Sequence, residues 1–250
     1  MTYTPYSPDV FPIFIYYIIL IVLSVIVTIM MFRKYIERKT KATLYMSLAY
    51  LASTIALIMV TIGLAEAIIT LFFKEIYRFT FPFGYALLTG AGMFLLFCAR
   101  EVTESSKFKY SSIVLILIGF IVIILLFLPT NWWGVPQKDY QDELNTRLVV
   151  TIILVLYNLI IYGVMARMYY RAKRKTSDPV ASFGFKLLFY SMICPMIFLL
   201  FVIIDTAFII FANHPGYTIF MYIAWFFLMA FFLLSYLALI MPKWVKKRIN

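Results

Sequence analysis

The stretch FPIFIYYIILIVLSVIVTIMMF (residues 11–32), followed directly by RKYIERKTK (residues 33–41), decides the fold. The first segment carries no charge and is long enough to cross the hydrocarbon core of a bilayer, which takes about 20 largely apolar residues in a helix. The second segment supplies Arg33, Lys34, Arg38, Lys39 and Lys41, and such a basic cluster stays on the cytoplasmic side. The ten residues ahead of the run hold no Lys or Arg, and no small-residue cleavage signature follows it. The run therefore reads as a retained helix and not as a cleaved signal.

Six further apolar runs repeat the pattern, at residues 44–73, 79–99, 110–128, 148–166, 187–212 and 217–241. Composition agrees with them: 64% of the 250 residues are hydrophobic, 13% are charged and the mean hydropathy is +0.97. A soluble domain is roughly half apolar and a quarter charged, and could not hide so much apolar surface. The expected fold class is all-α, a polytopic membrane bundle of seven transmembrane helices forming one domain over residues 1–250. The connections are too short for a separate soluble domain, and they make consecutive helices antiparallel neighbours.

The remaining charges orient the bundle. On the side of the first basic cluster lie Arg100, Lys107 and Lys109, then Arg167, Arg171, Lys173, Arg174, Lys175 and Lys186, and finally Lys243, Lys246, Lys247 and Arg248. The other side holds only Lys74, Arg78, Lys138 and Arg147 of the 22 basic residues. This asymmetry puts the N-terminus outside and the C-terminus in the cytoplasm of a multi-pass cell-membrane protein. It also accounts for the net charge of +11 as a rim beside anionic headgroups, so nucleic acid is not an expected partner.

Two cysteines, Cys98 and Cys194, give no disulfide framework. The single histidine rules out bis-histidine haem ligation from this chain and leaves a histidine-built zinc or copper site without ligands. No Ser/His/Asp set, paired-cysteine motif or glycine-rich phosphate loop is present, so neither a cofactor nor an enzymatic activity is expected. The longest outer loop, 129–147, contains Trp132, Trp133 and Tyr140, residue types that anchor at the headgroup level or could cover a ligand site.

The two ends of the chain resemble each other. The first and fifth runs leave the membrane through Arg33-Lys34-Tyr35 and Arg167-Met168-Tyr169-Tyr170; the second carries Glu66 and the sixth Asp205; the third opens with Pro82-Phe83-Gly84-Tyr85 and the seventh with Pro215-Gly216-Tyr217. Three correspondences in one order suggest a 3+1+3 layout of two parallel repeats about the fourth helix.

Glu66 and Asp205 are the only acids within the runs, and an ionisable group in a spanning helix usually faces the bundle interior or a hydrated cavity. Counted back from Lys74, Glu66 stands about 12 Å below the outer end of its helix. Both could line an outward-open pocket with Thr70, Asn158 and Thr206, or both could already sit at the headgroups. His214, in the turn Asn213-His214-Pro215-Gly216, is a candidate sensor of external acidity against the simpler reading of a solvated turn residue. Pro195 is a candidate hinge or a static kink. Gly90, Ala91 and Gly92 would let helix 3 approach a neighbour closely.

Seven helices with an outside N-terminus also describe microbial rhodopsins and SWEET-type sugar transporters, but residues 217–241 contain no lysine to attach retinal. The Arg33 to Lys41 exit, the short loops and the final exit Met241-Pro242-Lys243-Trp244-Val245-Lys246-Lys247-Arg248 resemble the seven-transmembrane N-terminal sensor region of archaeal and bacterial signalling proteins, including histidine kinases. That resemblance implies a sensory module feeding a cytoplasmic signalling domain. The sequence ends at Asn250, so a separate cytoplasmic partner is expected to take the output. The competing expectations are a small-solute or ion transporter with Glu66 and Asp205 in its pathway, and an accessory subunit of a membrane complex. The expected partners are the lipid bilayer, a signalling partner or complex subunits, and a second copy in a homodimer.

Overall fold

The computed structural model describes residues 4–6, 8–103, 109–128, 130–131, 146–211 and 218–241. Among these residues seven α-helices follow one another: α1 Phe11–Arg38, α2 Lys41–Thr70, α3 Glu75–Thr103, α4 Lys109–Leu126, α5 Arg147–Lys175, α6 Pro179–Phe211 and α7 Ile219–Ile240. Ahead of α1 come a two-residue strand, β1 Thr4–Pro5, and a 3-10 turn, Pro8–Val10; a second short strand, β2 Phe72–Phe73, lies between α2 and α3. Six of the helices are long and apolar enough to cross a membrane, and α4 has the shorter apolar stretch Ser112–Leu126. The chain is a multi-pass, all-helical integral membrane protein.

Helix ends depart from the apolar runs for identifiable reasons. Hydropathy marks the part of a helix immersed in lipid, whereas the backbone ladder continues through charged residues until a cap stops it. So α1 continues to Arg38 and α5 to Lys175. The α1–α2 turn is closed by Lys39 in the left-handed conformation (φ 50°), whose N–H donates to the Tyr35 carbonyl at 2.7 Å, and by the Thr40 hydroxyl, which accepts from the Thr43 N–H at 3.4 Å. Helix α6 starts eight residues before its apolar run, because Asp178 accepts from the N–H groups of Val180 (3.4 Å) and Ala181 (2.9 Å) and Pro179 occupies the first helical position. Helix α3 begins at Glu75, so Pro82 lies inside it and not at its opening.

Packing follows chain order. Helices α1, α2 and α3 pack consecutively, as do α5, α6 and α7, while α3 meets α5 and α1 meets α7. These contacts close a ring, and α4 sits against α3 and α5 at its edge. Across the interior Tyr17 of α1 meets Trp225 of α7 edge-on at 4.5 Å, and Trp225 in turn meets Phe198 of α6 at 5.1 Å. Buried hydroxyls tie neighbours together: Thr28 of α1 with Thr54 of α2 at 3.0 Å, and Tyr50 of α2 with Ser235 of α7. The outward faces carry exposed apolar side chains such as Val22, Ile26, Leu117 and Ile124, as expected where the solvent is lipid.

At the end where α1 begins, β1 pairs antiparallel with β2, Thr4 opposite Phe73 and Pro5 opposite Phe72, and the Tyr6 N–H donates to the Leu71 carbonyl at 2.8 Å. The segment before α1 is thereby strapped onto the α2–α3 connection. Trp132, Trp133, Tyr140, His214, the Pro215-Gly216-Tyr217 opening and residues 242–250 lie outside the described residues.

Candidate functional site

The two acids of the apolar runs have clear hydrogen-bond partners. Glu66 is half-buried near the end of α2, and its carboxylate spans the first turn of α3: Oε2 accepts from the Tyr77 N–H at 2.9 Å and Oε1 from the Ile76 N–H at 3.3 Å. Asp205 is 1% exposed on α6, and its Oδ1 accepts from both the N–H and the hydroxyl of Thr218, each at 2.7 Å. Thr218 is the N-cap of α7, and its hydroxyl oxygen also accepts from the Phe220 N–H at 3.3 Å. Each acid thus satisfies backbone donors at the start of the next helix, where orphan N–H groups and the helix dipole favour negative charge.

The same geometry revises the depth of Glu66. Because α2 ends at Thr70, Glu66 lies only four residues from the helix end, about 6 Å at 1.5 Å per residue. The acids occupy different helix pairs, α2–α3 and α6–α7, and bind different partners there. Thr70 donates to the Phe72 carbonyl within its own turn at 2.9 Å. Asn158, 6% exposed in the middle of α5, donates to the Leu154 carbonyl at 2.9 Å and faces Gly92 of α3. The side chain of Thr206 and all of His214 are outside the described residues. Helix α6 runs unbroken through Pro195.

The opposite, basic end of the bundle is built differently. There the ends of α1, α3 and α7 and the beginnings of α2 and α6 surround an open cleft of about 370 Å³. Met31, Met46, Val102, Phe185 and Leu188 supply apolar walls, and Cys98, only 1% exposed, also lines it. Lys34, Arg38, Thr40 and Thr43 form the polar side, together with Asp178, whose oxygens are engaged by the first turn of α6. Lys34 pairs with Glu37 at 2.5 Å, and that ammonium holds the Glu37 carboxyl below its ordinary range. Arg38 has no ion pair within 4 Å among the described residues.

Buried hydroxyls that do not line the cleft include Tyr50, Tyr169 and Ser235. Tyr50 donates to Ser235. The Tyr169 hydroxyl is buried and has no hydrogen-bond partner among the described residues. Thr40-Lys41 and Asp178-Pro179 begin their helices ahead of the apolar runs, so charged helix ends project at this end, but no pattern in the sequence joins them into a cleft.

No protein family matches the chain, and neither a characterised protein nor a solved structure is significantly similar to it.

Proposed function

We propose that this chain is a receptor-like membrane module of seven spans, with its N-terminus outside and its C-terminus in the cytoplasm, relaying an outer-side or intramembrane signal to a cytoplasmic partner. The supporting observation is the contrast between the two ends of the bundle. At one end Glu66 fastens α2 to α3, Asp205 fastens α6 to α7, and β1 straps the chain start onto the α2–α3 connection. At the other, the cleft opens between the ends of α1, α3 and α7 and the beginnings of α2 and α6, with the Tyr50–Ser235 bond still joining α2 to α7. A bundle tied at one end and open at the other can redistribute between arrangements of the open end, and a partner that binds those arrangements unequally reads the change.

The matched caps also support the 3+1+3 layout, with α4 as the seventh span at the seam. An acid in the second helix of each trio serves the start of the third. Carboxylates already engaged by backbone donors give less support to the transporter reading, in which the same two acids would have to be free to carry coupling charge.

Orientation is tested by single cysteines at Lys41 and Ile69 in a Cys98→Ala/Cys194→Ala background, labelled in intact cells with a membrane-impermeant maleimide. Labelling at 69 alone is expected, with 41 reacting only after permeabilisation; the reverse order refutes the orientation. The relay is tested by a photocrosslinking residue placed at Lys39 or Ser177 in native membranes, with Phe79 as the control at the other end. A discrete protein adduct from the basic-end positions alone is expected. Adducts with lipid only would leave no relay partner and end this reading.

A further inference from the structure

The basic-end cleft joins two kinds of surface, an apolar wall that includes Met31, Met46 and Met241 and a cationic edge at Lys34 and Arg38. Its volume of about 370 Å³ lies within the usual range of roughly 300–1,000 Å³ for small-molecule sites. Met31, Met46 and Met241 line the space with unbranched, polarisable side chains that adapt to an irregular apolar guest. Lys34 and Arg38 stand on the same wall one helical turn apart, and Lys39 and Lys41 adjoin them in sequence.

Among the described residues Asp178 is the one acid lining the cleft, and both its oxygens accept from backbone N–H groups of α6; Glu37 pairs with Lys34 from outside the lining and leaves Arg38 as the cation without an ion pair within 4 Å. Helices α6 and α7 pack closely at this wall of the cleft. A Cβ on Gly184 would stand 2.9 Å from the terminal methyl of Met241, so glycine at this position leaves that methyl in place at the cleft wall.

We infer that the cleft binds an amphiphilic anion, with a phosphate or carboxylate head held at Lys34 and Arg38 and a single alkyl chain lying between α2, α6 and α7. The inference does not depend on the receptor reading, since a bound amphiphile at this end is compatible with any role for the bundle.

The full chain in neutral detergent is titrated with dodecyl phosphate and followed by native mass spectrometry. One saturable adduct per chain is expected, weakened about tenfold or more in the Lys34→Ala/Arg38→Ala variant, since each cation near such a group contributes about a fivefold preference. A Lys173→Ala/Arg174→Ala variant removes equal charge from the end of α5, away from the cleft, and should bind as the parent does. Dodecanol and inorganic phosphate should not compete. The source is read in nanodiscs: one retained phosphatidylglycerol per chain, lost in the Lys34/Arg38 variant, identifies a leaflet lipid, whereas dodecyl phosphate binding without retained lipid identifies a freely diffusing amphiphile. Either supports the site. Absence of a saturable adduct, equal loss in both double variants, undiminished binding in the Lys34/Arg38 variant or competition by dodecanol would overturn it.

Discussion

The Asp205 carboxylate and Thr218 form a two-bond clasp, with Oδ1 accepting from the backbone N–H and from the hydroxyl of Thr218 at 2.7 Å each. Because Asp205 is almost wholly buried, its charge is stabilised by donors that themselves need an acceptor. Removing it leaves both donors of Thr218 without that acceptor. Asp205→Ala is expected to cost about 2–3 kcal/mol, in the range of hydrogen bonds to charged groups, and Asp205→Asn distinctly less, since an amide oxygen still accepts. Equilibrium unfolding in mixed micelles of the two variants, with Thr218→Val completing a double-mutant cycle, measures this. A coupling energy near zero between positions 205 and 218 would show that the hydroxyl bond of the clasp contributes nothing, since Thr218→Val leaves the backbone N–H bond in place.

Glu66 performs the corresponding task at the start of α3 from a half-exposed position, so its contribution should be smaller. Glu66→Ala is expected to cost about 1 kcal/mol, typical of a lost N-terminal cap, and Glu66→Gln only part of that. The decisive comparison is of both acids in one assay. If Glu66→Ala proved far more damaging than Asp205→Ala, burial would not be ranking the two caps and the equivalence of the two helix pairs would fail.

The number and approximate place of the helices could be read from the runs because lipid demands continuous apolar segments, and residues 11–32 fall inside α1 for that reason. Where helices stop was less visible. Arg33 to Arg38 and Arg167 to Lys175 are charged, but in a helical ladder they cost nothing once they project beyond the apolar layer, so hydropathy ended those helices too soon. The acids were visible as anomalies, yet their role was not. Tyr77 is eleven residues from Glu66 and Thr218 thirteen from Asp205, and only the turn between antiparallel helices makes each pair neighbours. The cleft was invisible for a related reason: Lys34, Cys98 and Met241 belong to three separate helix ends, and no local pattern links them.

Tyr50 and Ser235 connect α2 to α7 through buried hydroxyls, and Ser235 additionally donates to the Phe231 carbonyl of its own helix. Tyr50→Phe keeps the ring against Phe231 and Phe232 and deletes only the interhelical bond. Such bonds within membrane bundles average about 0.6 kcal/mol and seldom exceed 2 kcal/mol. A loss of about 1 kcal/mol is expected for Tyr50→Phe and almost none beyond it for the Tyr50→Phe/Ser235→Ala pair, because Ser235 keeps its intrahelical acceptor once the tyrosine hydroxyl is gone. Full additivity of the two substitutions in an unfolding titration would show that the hydroxyls act independently.

Glycine gives the sharpest test of the packing: of Gly90, Ala91 and Gly92, the structure sets Gly92 against α5 and buries Ala91 but leaves Gly90 beside open space. A Cβ at Gly90 would meet nothing within 4 Å, and one at Gly92 would make ordinary contacts at 3.7 Å with Asn158 and Ile161. A close approach limited by backbone lies between α2 and α3, where a Cβ at Gly63 would stand 2.1 Å from the Thr80 hydroxyl oxygen and 3.1 Å from the Tyr77 Cα. Thr80 is buried and stiff at χ1, so it cannot simply swing away. Gly63→Ala is therefore expected to destabilise by about 1–3 kcal/mol through overpacking. Gly90→Ala should stabilise by about 0.5–1 kcal/mol, since it removes the backbone-entropy cost of a helical glycine and adds no clash. Thr80→Ala in the Gly63→Ala background should recover part of the loss by removing the nearer obstacle, but not all of it, because the Tyr77 backbone stays. Thermal denaturation of the three variants in one detergent fixes the order; a Gly90→Ala penalty equal to that of Gly63→Ala would place the tight helix contact where the structure has open space.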